Sequence, residues 1–133
     1  MQVVTALINI NREENDGRTV DDYLSWLHSL LEIFPDAIVF HDGSADGLIS
    51  IFSDAQFVRI NINELNFFSQ MNAIAEICTK YLHMGKQDLV YLNPLYGIVT
   101  MAKFEFMRRA ITLSKDQHFL WVDAGVLRLY KST

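Results

Sequence analysis

The sequence predicts an α/β domain: a Rossmann-like, mainly parallel sheet flanked by helices. Three observations carry that prediction. Short apolar segments lie at residues 3–10, 37–40 and 119–122. The stretches between them repeat apolar residues at helical spacing, and each apolar run ends in polar residues. Uniform hydrophobicity, as opposed to alternation, marks strands covered on both faces, which is the usual state of a parallel sheet.

The first run ends in Asn9-Ile10-Asn11-Arg12, and the polar Glu13-Glu14-Asn15-Asp16-Gly17-Arg18 that follows reads as a loop. Thr19 opens a helix, with Asp22 three residues on to complete a capping box. Val20, Tyr23, Leu24, Leu27, Leu30, Leu31 and Phe34 give this helix its buried face, and Pro35 ends it. Ala37-Ile38-Val39-Phe40 is the second strand, finishing at His41-Asp42-Gly43-Ser44. Strand, helix, strand in this order is a βαβ unit with a right-handed crossover.

The middle of the chain is less regular. Residues 48–52 fit a short strand or a helical turn, and residues 57–62 alternate like a half-buried strand. Residues 64–83 read as mostly helical, with Leu65, Phe68, Met71, Ile74, Ala75, Cys78 and Leu82 on one face and Gly85 as the stop. Val90-Tyr91-Leu92 reads as a strand fragment.

The last third is the most informative. Asn93 can cap a helix and Pro94 suits its first position. Leu95, Ile98, Val99, Ala102, Phe106, Ala110 and Leu113 then trace a buried stripe, with Arg108 and Arg109 toward the end favoured by the helix dipole. After the break at Ser114-Lys115-Asp116-Gln117, Phe119-Leu120-Trp121-Val122 reads as a central strand covered on both faces. Asp123-Ala124-Gly125 sits at its carboxyl end, the edge where open α/β sheets bind ligands.

Composition narrows the function classes. The 133 residues make a single domain, 1–133, half hydrophobic and one-fifth charged, which excludes a disordered or fibrous chain. The apolar runs fall short of the roughly 18 residues of a membrane helix, so no membrane span is expected. The N-terminal residues read as a strand and not as a signal peptide. One cysteine, Cys78, allows no internal disulfide and fits a reducing, cytoplasmic setting; it reads as a small core residue. A net charge of −5, with no basic cluster beyond Arg108-Arg109, argues against nucleic acid as partner.

Asp123 reads either as the holder of a divalent cation that binds a diphosphate or as a solvated strand-end acid. Asp42 has the same two readings, and Gly125 serves either close ligand approach or a turn. Lys103 lies on the edge of the apolar stripe, where it either reaches a phosphate or snorkels into water. Arg12 follows the first strand, a frequent phosphate-binding position, but no GxGxxG or P-loop accompanies it. The four histidines show no metal-ligand spacing, and Trp26 and Trp121 read as core.

Taken together, these segments resemble a known family. Val4-Thr5-Ala6-Leu7 with Asn9-Ile10-Asn11-Arg12, then Tyr23-Leu24-Ser25-Trp26-Leu27 and Ile38-Val39-Phe40-His41-Asp42, look like the opening of the bacterial HtrL/YibB-type family. Asn93-Pro94-Leu95-Tyr96-Gly97-Ile98-Val99 with Ala102-Lys103-Phe104, and then the run from Phe119 to Gly125, is the strongest part of the match. That family is regarded as glycosyltransferases of the GT-A type, associated with surface polysaccharide synthesis. The resemblance implies a GT-A-like, nucleotide-sugar-binding half of such an enzyme, with a nucleotide-sugar donor and a glycan acceptor. It implies a donor site of Thr5, Ala6, Arg12, Asp42, Lys103, Asp123 and Gly125, with Lys103 on the nucleotide-sugar and Asp123 on a metal or ribose. It also implies a divalent metal, manganese or magnesium, at Asp123. The second acid of the family's Asp-x-Asp pattern is Gly125 here, a departure from it. The alternative is a non-catalytic, degenerate transferase-like module that binds a partner subunit or forms a homo-oligomer.

Overall fold

Strand β1 (Gln2–Leu7) is the hub of the computed structural model, which describes residues 1–129. It pairs in parallel with β2 (Ile38–His41) on one side and with β4 (Phe119–Trp121) on the other, and β2 pairs in parallel with β3 (Gln56–Arg59). The order is β3-β2-β1-β4. The chain therefore works outward from β1 to β3, then returns to add β4 beyond β1. The strand order reverses between β1 and β4, a topological switch point at which the connections leave a crevice. The expected parallel α/β architecture is the one observed.

Helices α1 (Glu13–Asp16), α2 (Val20–Ile33), α3 (Asp46–Ile49), α4 (Met71–His83), α5 (Leu89–Leu92) and α6 (Pro94–Leu113) complete the fold, with 3₁₀ turns at Ile62–Glu64, Asn66–Gln70 and Val126–Leu129. Helix α2 starts as its sequence dictates: the Thr19 hydroxyl accepts from the Asp22 N–H, and the Asp22 carboxylate accepts from the Thr19 N–H. Alternation along the central strands splits the core in two. Val3, Leu7, Ala37 and Val39 pack with Leu27, Leu30 and Leu31 of α2. Val4, Ile38 and Phe40 pack with Ile98, Ala102, Phe106 and Ala110 of α6. Each fully buried Leu, Ile or Phe here stabilises the fold by about 1.5–3 kcal/mol.

Several details differ from the sequence reading. β4 is an edge strand and not a central one, because β2 already occupies the other side of β1. Phe119 and Trp121 pack on the α6 face, but Leu120 points to the opposite face and is 41% exposed. Trp26 and Trp121 are half-buried. Val90-Tyr91-Leu92 forms the helical turn α5, whose capping Asp88 carbonyl accepts from the Tyr91 and Leu92 N–H groups, and not a strand fragment. The loop after β1 contains the single turn α1, stopped by Gly17 at φ 77°. The 64–83 stretch enters its helix through 3₁₀ turns. Leu113, at the end of the α6 stripe, is exposed. Arg108 and Arg109, expected where the helix dipole favours cations, fall before the last turn of α6, which holds no basic residue, and the Arg109 guanidinium lies 5.4 Å from the Phe40 ring centre. No helix among the described residues is long and apolar enough to cross a membrane.

His41 ends β2 inside the core, 1% exposed, with its ring edge-on to Phe57. The Gly43 N–H donates to His41 Nδ1 at 3.1 Å, a bond that only the neutral ring can accept, and the same nitrogen lies 3.7 Å from Asp46 Oδ1. Burial pushes the His41 pKa below its ordinary value; Asp46 and Asp42 pull it up and Arg59 presses it down. A depressed folded-state value means that the unfolded chain binds the proton more readily. The His41 contribution is thus complete above the unfolded value of about 6.5 and is lost as pH falls through the lower folded value. Thermal melts should show a drop in midpoint between neutral and mildly acidic pH that His41→Gln flattens. An unchanged slope in the variant would reject this assignment.

Candidate functional site

A cleft of about 640 Å³ opens where β1 and β4 end. Its walls come from the segment after β1, the start of α2, the first half of α6 and the Asp123–Gly125 turn. This is the crevice expected at the switch point.

The first wall is the segment Ile8 to Arg12, tied down at each end. The Asn9 N–H donates to Asp42 Oδ2 at 3.0 Å, linking it to the end of β2. Asn11 adopts a left-handed φ of 56°, which asparagine tolerates better than most residues, and its N–H donates to Asn9 Oδ1. The Ile10 carbonyl accepts from Asn93 Nδ2 at 2.7 Å. Asn93 Oδ1 meanwhile accepts from the Leu95 N–H, so one buried side chain both caps α6 and fastens the β1 segment to it.

Arg12 leaves this segment into a cage. Its Nε donates to Asp16 Oδ2 at 2.6 Å and its Nη1 to the Tyr23 hydroxyl at 2.7 Å, while the rings of Tyr23 and Tyr96 lie 5.8 and 5.4 Å from the guanidinium carbon. Arg18 Nη1 reaches the same Tyr23 hydroxyl at 3.5 Å, and its Nε stands 3.9 Å from Asp16. Burial works to raise the Asp16 pKa, but the Arg12 bond, the Arg18 N–H and the two guanidinium charges outweigh it and hold the carboxyl below its usual value. Asp16 therefore stays ionised and neutralises one of the two arginines.

The opposite wall is α6. Tyr96, Val99, Thr100 and Lys103 line it at helical spacing, and Phe106 extends the lining from the core. Lys103 is half-buried and forms no ion pair among the described residues; its ammonium lies 5.8 Å from the Phe104 ring centre. At the β4 end, Asp123 is exposed to the cleft and its Oδ1 accepts from the Trp121 indole N–H at 2.8 Å. Gly125 is buried, and the Gly125 carbonyl accepts from Arg128 Nη1 at 2.9 Å.

Of the residues singled out from sequence, Ala6, Arg12, Lys103, Asp123 and Gly125 line this one cleft. Thr5 does not. It shares a strand face with Val3 and Leu7, is fully buried, and its hydroxyl has no hydrogen-bond partner among the described residues. Asp42 stands behind the cleft and not in it, its carboxylate taken up by the Asn9 N–H, the Ser44 N–H and the Ser44 hydroxyl. Sequence reasoning passed over Arg18, Tyr23, Tyr96 and Arg128. Tyr23 was legible only as a core position of α2, and nothing in its spacing shows that the hydroxyl reaches two arginines.

The donor set also tests the metal that the family resemblance implies. Asp123 is one carboxylate with one oxygen already engaged, and no group of three or more His, Cys, Asp or Glu residues stands together to hold an ion among the described residues. A two-carboxylate site of the Asp-x-Asp kind does not fit these residues.

Comparison of the chain with protein-family models, with curated proteins and with solved structures finds no match.

Proposed function

We propose that the chain is the donor-binding part of a GT-A-like glycosyltransferase. It would bind a nucleotide-sugar and, with an acceptor-binding part, transfer the sugar to a glycan such as a surface polysaccharide. The observation that carries this reading is the cleft at the switch point, where Lys103 and Asp123 face one space together with the Arg12–Tyr23–Arg18 cluster. Such a space suits a ligand that is anionic at one end and flat at the other. Lys103 supplies a point charge to a phosphoryl oxygen, Tyr96 and Trp121 supply ring surface, and the open Asp123 oxygen accepts from a ribose hydroxyl. During transfer, negative charge grows on the departing diphosphate, and fixed cations beside it lower that barrier.

Calorimetric titration with UDP, GDP, CMP and their sugar conjugates tests the reading. One of them should bind; Lys103→Ala should weaken that binding about tenfold, equivalent to about 1.4 kcal/mol, and Asp123→Asn should weaken it with melting unchanged. Wild-type affinity in both variants would remove these residues from the site.

A second reading, a non-catalytic interaction module, draws on the outer face of α6, where Met101, Phe104 and Ile111 are 45, 66 and 58% exposed. Self-association through that face without any nucleotide response would favour it.

A further inference from the structure

We propose that the ligand's diphosphate is held by the side-chain cations Arg18 and Lys103 and that binding needs no divalent metal. This rests on the donor-binding reading above and concerns how the same cleft manages charge.

Gly125 leaves no room for a second acid. A β-carbon added there would meet Tyr23 Cε1 at 3.0 Å and Trp26 Cε3 at 3.3 Å. The volume that a second carboxylate would occupy is filled by two aromatic rings, which themselves pack edge to face with centres 5.0 Å apart. The Tyr23 ring carries a hydroxyl on which two guanidinium groups converge. Where the Asp-x-Asp pattern would put a second acid stand the rings of Tyr23 and Trp26, and the cations of the cleft gather on the Tyr23 hydroxyl beyond them.

The two arginines are not equivalent. Arg12 spends Nε on Asp16 and Nη1 on Tyr23, both at short distance, and lies against two rings. Its geometry is that of a structural pin. Arg18 has one long contact to Tyr23, at 3.5 Å, and shares Asp16 at 3.9 Å with a closer competitor. Its planar fork can turn to an incoming oxyanion and donate twice, the arrangement in which a guanidinium binds phosphate best. Lys103 approaches from the α6 wall with no carboxylate paired to it among the described residues. An arginine from one wall and a lysine from the other neutralise the two charges that a metal would otherwise cover.

The deciding experiment is titration of the intact chain with UDP, GDP and CMP, each in EDTA and in manganese, alongside Arg18→Ala, Arg18→Gln and Arg18→Lys. Pyrophosphate and the free nucleosides separate phosphate recognition from base recognition. The expected result is that the nucleotide binds in EDTA with a Kd within about twofold of that in manganese. Arg18→Ala and Arg18→Gln should weaken it by about tenfold or more, and Arg18→Lys should recover part of the loss. Wild-type binding that appears only with manganese would overturn this inference and leave the donor-binding reading standing. Wild-type affinity in folded Arg18→Ala and Arg18→Gln would overturn the role of Arg18. Failure of every nucleotide to bind in either buffer would overturn both readings.

Discussion

Phe106→Ala is expected to lower the unfolding free energy by about 3–5 kcal/mol, the range for removing a fully buried aromatic ring. Phe106 has no exposed surface and lies between two other rings, with its centre 4.7 Å from Phe40 on β2 and 6.2 Å from Trp121 on β4. It ties an inner strand and the edge strand to α6 at the point where the stripe also contains Ile98, Ala102 and Ala110. Small residues on either side bring the helix close to the sheet, so little can collapse into the space that the ring leaves. The loss should therefore fall toward the upper end of the range. Urea unfolding followed by tryptophan fluorescence would measure it directly. A change below about 1 kcal/mol would mean that the ring contributes area without packing. Phe106→Leu, which refills most of the volume, should recover a large part of the loss. Because Phe106 also reaches the cleft lining, the alanine variant should bind nucleotide more weakly even at temperatures where it stays folded.

Gly125→Asp should fail to create the metal site that the Asp-x-Asp pattern suggests, and should cost about 1–3 kcal/mol as an overpacking substitution. The obstacle is space: Tyr23 and Trp26 already stand within van der Waals range of any β-carbon at this position. Forcing them aside would also move the hydroxyl that positions Arg12 and Arg18. Melting curves with and without manganese decide the matter. The expected outcome is a lower midpoint that manganese leaves unchanged. A variant as stable as wild type, further raised by manganese, would show that the site accepts a second carboxylate after all.

The parallel α/β architecture was legible because burial on two faces writes itself into short apolar runs, and the caps at Thr19 and Asn93 are local devices visible over three or four residues. What the sequence did not disclose is relational. Phe119-Leu120-Trp121-Val122 is as apolar as a central strand, yet its place at the sheet's edge depends on which side of β1 the earlier strands had taken. Val90-Tyr91-Leu92 has the composition of a strand and the backbone of a helix, since its neighbour Asp88 caps a turn with its carbonyl. In the cleft, Lys103 and Asp123 stood out because each occupies a telling position in its own element. Arg18 could not, because its meaning comes from a tyrosine hydroxyl on the next helix and from a competitor for Asp16. Asp42 looked like a ligand-facing acid at a strand end, but its carboxylate accepts from the Asn9 and Ser44 N–H groups and the Ser44 hydroxyl.

The pairing of β1 with β4 joins the first strand of the chain to its last described one, and this has a kinetic consequence. Contacts of such long sequence separation carry a large loop-closure entropy and form late. The β1-α2-β2-β3 unit can assemble from neighbouring segments, but Asp123 cannot face Arg12 until α6 has docked and the chain has returned to the start. The cleft is therefore expected to form late in folding. Ligand capture by a refolding chain should accordingly lag behind the recovery of helical signal, and the lag time measures how long the exposed edge of β1 waits for its partner.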